Sequence, residues 1–316
     1  MFLQEKNTKL KIFCLEKITL DKVIEEQLLY FGLVDQKTIN SNNTFKDFNK
    51  DDILNIIEYT DVENCDFIYY PHKIHKNTNI DNLIELSEKY NKKILLFYND
   101  DNETIFNFKN SILFRTSMLR SNKPKNYFSV PAFCNDLKKE ENFFLRKKEI
   151  IPTIGFCGAI THPFRKIMID KINKTELNKN LLIRDNFWGG NIWGSQVRSE
   201  YIQNTLNSDI VICLRGAGNF SYRFYETICL GRIPLVVDTD LVFPFDDFVG
   251  YENFTIKLSV NNINDIEHEI MSFWNKIESY ESLQKNIIDF WNQNLSPIGF
   301  IKNLNKYKNE INNILH

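Results

Sequence analysis

The run Ile210 to Asp240, IVICLRGAGNFSYRFYETICLGRIPLVVDTD, constrains the fold more than any other part of the chain. Ile210 to Leu214 is a short apolar stretch rich in β-branched residues, suited to a buried strand. Arg215-Gly216-Ala217-Gly218-Asn219 interrupts it. From Phe220 to Leu230 the spacing becomes helical, with Phe220, Phe224, Thr227 and Ile228 on one face. Gly231 stands where a glycine commonly ends a helix. Ile233 to Val237 reads as a second buried strand. About thirty residues for strand, helix and strand fit a right-handed crossover in a parallel sheet.

The residues that break this apolar pattern carry the chemistry. A glycine turn entering a helix leaves backbone N–H groups free at the helix N-terminus, a site for phosphate. Arg223 in the first turn adds a planar cation suited to a diphosphate. Arg223 and Glu226 are one turn apart and share a face. The two oxygens of Glu226 match the two hydroxyls of a ribose. Arg215, Gly216, Gly218, Asn219, Ser221, Tyr222, Arg223 and Glu226 therefore form a candidate nucleotide-diphosphate site. The competing reading is an Arg223–Glu226 ion pair on a solvated face.

The run LRGAGNFSYRFYETICLGRIPLVV, followed by LVFPFDDFV, resembles the C-terminal half of exostosin-like glycosyltransferases. Arg215, Ser221, Arg223, Phe224, Glu226, Pro234, Pro244 and Phe245 fall on that family's pattern. The resemblance covers residues 150 to 250, and the first 140 residues show no comparable signature. It implies an α/β fold of two Rossmann-like lobes (the GT-B type) with a cleft between them and a helical C-terminus. It also implies a nucleotide-sugar donor, with uridine diphosphate as the usual carrier, and transfer with no essential metal. By the same analogy Glu226 holds the donor ribose and Arg165 is a second phosphate contact. Asp238-Thr239-Asp240 has the form of a metal motif of another transferase class. Here it aligns with a metal-independent family and is read as a strand-end loop.

A chain of 316 residues has room for two domains with separate cores. The expected division is an acceptor-binding lobe over residues 1–140, a donor-binding lobe over residues 150–290, and a C-terminal helix over residues 291–316 that packs back toward the first lobe. The charged stretch 134–152 is the expected linker. A formal net charge of −2 argues against nucleic-acid binding. The six cysteines are scattered without a C-x-x-C pair, which suits free thiols in a reducing compartment. No apolar run approaches the ~20 residues of a membrane span, and MFLQEKNTKLKIF has no signal-peptide core. The expectation is a cytoplasmic protein, a bacterial or viral relative of the family, with membrane contact at most peripheral.

Upstream, strands are expected in LKIFCL from Leu10, at Cys65–Tyr70, Ile94–Phe97, Ser111–Arg115 and Tyr127–Val130. Helices are expected at Leu20–Phe31, through Ile53, Ile56 and Ile57, and at Asn82–Tyr90. This alternation predicts a parallel sheet covered on both faces. Ligands bind such sheets beyond the carboxyl ends of the strands, which makes His72, Asp100, Asp101 and Arg115 candidates to line the site. Asp100, Asp101 or His72 is the candidate base for the acceptor proton. The competing reading of YNDDNE is a solvated turn. Phe243-Pro244-Phe245 and the glycine-rich Trp188–Gly194 loop are candidates to cover the ligand.

These readings favour an inverting, metal-independent glycosyltransferase that moves sugar from a UDP-sugar to a glycan or glycolipid acceptor in surface polysaccharide synthesis. The alternative is a non-catalytic nucleotide- or glycan-binding module. An epimerase or kinase is disfavoured by the lack of a Walker loop and of a G-x-G-x-x-G after the first strand.

Overall fold

The computed structural model describes residues 9–15, 29, 49–160, 162–185 and 195–313. The helix expected at Leu20–Phe31 (Leu29 apart) and the Trp188–Gly194 loop lie outside these residues. The chain divides into two compact units. One comprises residues 1–116, 122–135 and 293–316; the other comprises residues 117–121 and 136–292. Each is an α/β unit built on an all-parallel sheet.

The first unit contains β1 (Leu10–Cys14), α1 (Lys50–Leu54), β2 (Ile57–Tyr59), β3 (Phe67–Tyr69), α2 (Asp81–Tyr90), β4 (Lys93–Tyr98), β5 (Ser111–Arg115) and β6 (Tyr127–Ser129). The strand order is β2-β1-β3-β4-β5-β6. β4 and β5 are near-continuous apolar runs, buried along almost their whole length, as befits strands covered on both faces. The helix expected to continue through Ile56 and Ile57 stops at Leu54 instead. Ile57 begins an edge strand, and the Ile56 carbonyl accepts from Leu10 N at 2.9 Å. Two adjacent β-branched residues favour that outcome once a strand is there to pair with.

The second unit contains β7 (Thr153–Ala159), α3 (Pro163–Asn173), β8 (Asn178–Arg184), α4 (Ser195–Leu206), β9 (Ile210–Ile212), α5 (Tyr222–Cys229), β10 (Ile233–Val237), β11 (Ile256–Leu258), α6 (Ile266–Asn275) and α7 (Tyr280–Phe290). Its strand order is β11-β10-β9-β7-β8, so the direction of winding reverses between β7 and β9. Such a switch point leaves a crevice at the carboxyl ends of the two strands. The crossover from β9 through α5 to β10 has the predicted form. Gly231 ends α5 at φ 67°, and a Cβ there would stand 3.0 Å from the Gln284 carbonyl oxygen.

Residues 136–150, expected as a linker, belong to this second unit. Arg146 donates to Asp209 at 2.6 Å, and the Asp209 side chain is fully buried. The Asp209 carboxylate also accepts from Thr153 N at 2.8 Å. Arg232, fully buried, bonds the Phe144 and Leu206 carbonyls and Gln284 Oε1. A charged composition reads as linker, but here Arg146 is spent on a buried carboxylate.

Residues 293–316 return to the first unit. Ser296 caps α8 (Pro297–Lys306) by accepting from Gly299 N, with Pro297 in the first turn. Phe300 of α8 is fully buried, with its ring 5.4 Å from Phe114 and 5.5 Å from Phe133. Burial of one such side chain stabilises by about 1.5–3 kcal/mol. From α9 (Lys308–Asn313), Lys308 pairs with Asp66 at 2.9 Å.

Candidate functional site

The site of interest lies at the carboxyl ends of β7 and β9 in the second unit. β7 runs into Gly158 and Ala159, then into α3, whose N-cap is His162. β9 runs through Cys213 and the Arg215–Phe220 turn into α5, whose N-cap is Ser221. Two helices thus begin beside adjacent strand ends. Ser221 is extended and its side chain makes no capping bond to α5. Instead Phe224 N donates to the Ser221 carbonyl at 3.1 Å.

The first turns of both helices carry an arginine. Arg165 on α3 is buried and donates to the Ala159 carbonyl at 3.1 Å. Arg223 on α5 donates through Nη2 to the Cys157 carbonyl at 2.7 Å, and its guanidinium lies 4.6 Å over the Phe156 ring. Nε and Nη1 of Arg223 are buried with no hydrogen-bond partner. Burial, and then the neighbouring Arg223 charge, push Arg165 down to about 10. His162 is likewise held below its ordinary value by burial and by Arg215 and Arg165. Cations that repel one another, together with orphaned buried donors, are what a bound anion would relieve.

Arg215 donates to Asn219 Oδ1 at 3.1 Å and to the Ala217 carbonyl at 2.9 Å. Gly216 sits beside Arg165, whose Nη2 would be 3.8 Å from a Cβ at position 216. Asn219 is 2% exposed and its side chain is committed to the protein. Its amide nitrogen donates to the Met118 carbonyl, and its oxygen accepts from Arg215 and Thr239. This residue shapes the turn; a direct ligand contact through its amide would break that set. Tyr222 is partly exposed at the start of α5, with its ring 5.5 Å from that of Phe220.

The two residues paired by spacing, Arg223 and Glu226, do not pair with each other. Arg198 Nη1 donates to Glu226 Oε1 at 2.7 Å, and the Tyr201 hydroxyl donates to Glu226 Oε2 at 2.5 Å. Both donors come from α4, 28 and 25 positions upstream of Glu226. Several arginines of this unit serve the fold. Arg146, Arg184, Arg198 and Arg232 go to carboxylates or buried carbonyls. Arg165, Arg215 and Arg223 flank the turn.

Phe243 lines a pocket together with Arg215, Asn219, Phe220 and Ser221. It is buried, stacked on Phe224 at 4.6 Å and on Tyr251 at 4.6 Å, as part of the core. Phe245 is 3% exposed, also inside. Asp238 pairs with Lys257 at 2.9 Å, and Asp240 accepts from Ser121 N at 2.9 Å. Among the described residues no group of three or more His, Cys, Asp or Glu could hold a metal ion. No described helix is long and apolar enough to cross a membrane.

In the first unit, Asp100 and Asp101 follow β4. Asp100 accepts from Asn102 N at 3.0 Å and from the Asn102 amide at 2.5 Å, a local turn with Lys73 4.0 Å away. Those bonds, the backbone one foremost, hold its carboxyl below the usual range, which weakens it as a base. Asp101 is exposed. His72 packs against Tyr70 at 5.2 Å. Arg115 does not line an opening. It is 1% exposed, and its guanidinium bonds the Thr104 carbonyl at 2.6 Å and the Asn102 carbonyl, pinning the loop after β4.

No protein-family model matches the chain. A probable glycosyltransferase of Arabidopsis thaliana is 26% identical over 136 residues, which cover 42% of this chain and 27% of that protein. The match therefore spans about a quarter of the relative's length. Among solved structures, the chain is similar to a glycosyltransferase from Rickettsia africae, with a TM-score of 0.47, 10% identity, and coverage of 96% of this chain and 98% of that one. It is also similar to the Anabaena protein HepE in complex with UDP and glucose, with a TM-score of 0.43, 10% identity, and coverage of 96% and 100%.

Proposed function

We propose that the second unit binds the diphosphate of a nucleotide sugar and that the chain is a glycosyltransferase. The observation that carries this reading is the pair Arg165–Arg223. Two helix-start guanidinium groups neighbour one another at a sheet switch point, one depressed to about 10 and the other with two buried donors unpartnered. A diphosphate supplies acceptors for the two orphaned Arg223 donors and negative charge beside both guanidinium groups. The local match to a probable glycosyltransferase supports the same class.

The donor is a UDP-sugar and the acceptor a glycan or glycolipid of a surface polysaccharide. The reaction is inverting and the protein works in the cytoplasm. Arginines and α5 N–H groups stabilise the departing nucleotide, the electrostatic task a metal serves elsewhere. Transfer therefore proceeds without added metal. Of the three base candidates, Asp101 is the one to carry the acceptor proton, since Asp100 is tied into its own turn. The test is release of UDP from a panel of UDP-sugars with and without chelator. UDP release that needs both an acceptor and Arg223 supports the reading. Nucleotide binding with no transfer to any glycan would make the chain a binding module.

A further inference from the structure

We propose that Ser117, Thr239 and Asp240 are positioning residues for the diphosphate turn, which they hold through Asn219 and a five-residue excursion of the chain. This rests on the diphosphate reading above, and it gives the Asp238-Thr239-Asp240 run a role other than metal binding. The chain leaves the first unit after Thr116, passes through residues 117–121 of the second, and rejoins the first at Asn122. The point of departure is fixed: Thr116 is buried, and its hydroxyl donates to Asn99 Oδ1 at 3.1 Å. Ser117 is fully buried, and its Oγ accepts from Asn219 N at 2.8 Å. The Met118 carbonyl accepts from the Asn219 amide at 3.0 Å. Two successive residues of the excursion thus grip one residue of the turn, by its backbone and by its side chain.

The run after β10 holds both the turn and the excursion. Thr239 Oγ1 donates to Asn219 Oδ1 at 2.7 Å, and the same oxygen accepts from Arg215. Asp240 Oδ2 accepts from Ser121 N at 2.9 Å and from the Ser121 hydroxyl, and the Asp240 carbonyl accepts from Arg120 N at 2.8 Å. Arg120 then reaches the Leu241 carbonyl and Asp246, each at 2.9 Å. Asp240 has φ 64°, a left-handed conformation that Asp and Asn tolerate better than most residues. These bonds touch no ligand, yet they decide which groups of the turn a ligand can use. The Asn219 N–H is spent on Ser117, and Asn219 Oδ1 holds the Arg215 guanidinium. A site whose donors are fixed before the ligand arrives binds tighter, because ordering them on binding costs affinity.

The experiment is calorimetric titration of pyrophosphate, with chelator present, into wild type, Ser117→Ala, Thr239→Val, Thr239→Ser, Asp240→Gly and Asp240→Asn, each first checked for a cooperative melt. Ser117→Ala removes the acceptor of the Asn219 N–H and should weaken pyrophosphate about three- to tenfold. Thr239→Val loses its donor and should do the same, and Thr239→Ser returns the hydroxyl and should recover the affinity. Asp240→Gly accepts the left-handed backbone but lacks the acceptor, so pyrophosphate should bind more weakly. Asp240→Asn keeps an acceptor oxygen and should recover the binding that Asp240→Gly loses. If Ser117→Ala does not fold, the Thr239 and Asp240 pairs decide. Unchanged affinity in Thr239→Val and Asp240→Gly, even with lower melting temperatures, would mark the excursion as packing alone and overturn the proposal while the diphosphate reading stands. A failure of Thr239→Ser and Asp240→Asn to recover binding would also overturn it. So would tighter binding in Ser117→Ala, with the released Asn219 N–H serving the phosphate. If wild type binds no pyrophosphate, the proposal and the diphosphate reading both fail.

Discussion

Arg223 can reach the Cys157 carbonyl only because position 158 is glycine: a Cβ at Gly158 would stand 2.7 Å from Arg223 Nη2. Gly158 also has φ 153°, a conformation side chains rarely adopt. Gly158→Ala should therefore displace the Arg223 guanidinium without touching any ligand itself. The expected result is a folded protein, a few degrees less stable, whose pyrophosphate affinity falls by about tenfold, as in Arg223→Ala. Calorimetry checks both variants. A loss in one without the other would separate the glycine from the arginine.

Arg165 offers a prediction with the opposite sign. Its value falls from the ordinary arginine range to about 10 in the fold. Between those values the unfolded chain keeps a proton that the folded chain has given up. Stability thus rises only as pH climbs above about 10, and at neutral pH the buried charge opposes folding. That opposition is on the order of 1–3 kcal/mol. Arg165→Met should raise the melting temperature of the unliganded protein, by roughly 2–4 °C per kcal/mol. The same variant should lose the stabilisation that pyrophosphate gives wild type. Thermal melts with and without pyrophosphate measure both.

His162 makes the site sensitive to acid. Its Nδ1 caps α3 by accepting from Phe164 N at 3.2 Å, and burial with Arg215 and Arg165 keeps its folded value below 6.5. As pH falls through 6.5, the unfolded chain takes the proton first, so stability falls. Protonation also removes the acceptor that makes the cap. His162→Asn keeps a capping oxygen and has no charge to gain. Its melting temperature should drop less than that of wild type between pH 7 and pH 5.

Much of this was legible in the sequence, and the gaps have identifiable causes. The β9–α5–β10 crossover was readable because β-branched runs, a glycine turn and helical spacing agree there. Gly216 and Arg165, far apart in sequence, stand beside one another past the ends of β9 and β7. Spacing alone could not say where the charges of Glu226 and Arg223 go. The partners of Glu226 lie 25 and 28 positions upstream, on α4. The charged stretch before β7 looked like a linker because its partners Asp209 and Gln284 are 63 and 138 positions away. The three-residue strands β2 and β11 were missed because they are too short to show a period.

The two aspartates after β4 separate structural from chemical roles. Asp100→Asn should loosen the turn held through Asn102 and reduce stability, with turnover altered only modestly. Asp101→Asn should leave melting and UDP affinity unchanged and reduce turnover about a hundredfold, the scale of a lost general base. Single-turnover assays on both variants distinguish them. Full turnover in Asp101→Asn would remove it from the mechanism.

The most direct test of the account is calorimetric titration of UDP, in the presence of chelator, into wild type and Arg223→Ala. The account predicts UDP binding to wild type without metal and an affinity at least about tenfold weaker in the variant. Pyrophosphate should lose the same factor, because the arginine serves the diphosphate and not the nucleoside. Equal UDP affinity in the two proteins, or binding that appears only when a divalent metal is restored, would contradict it.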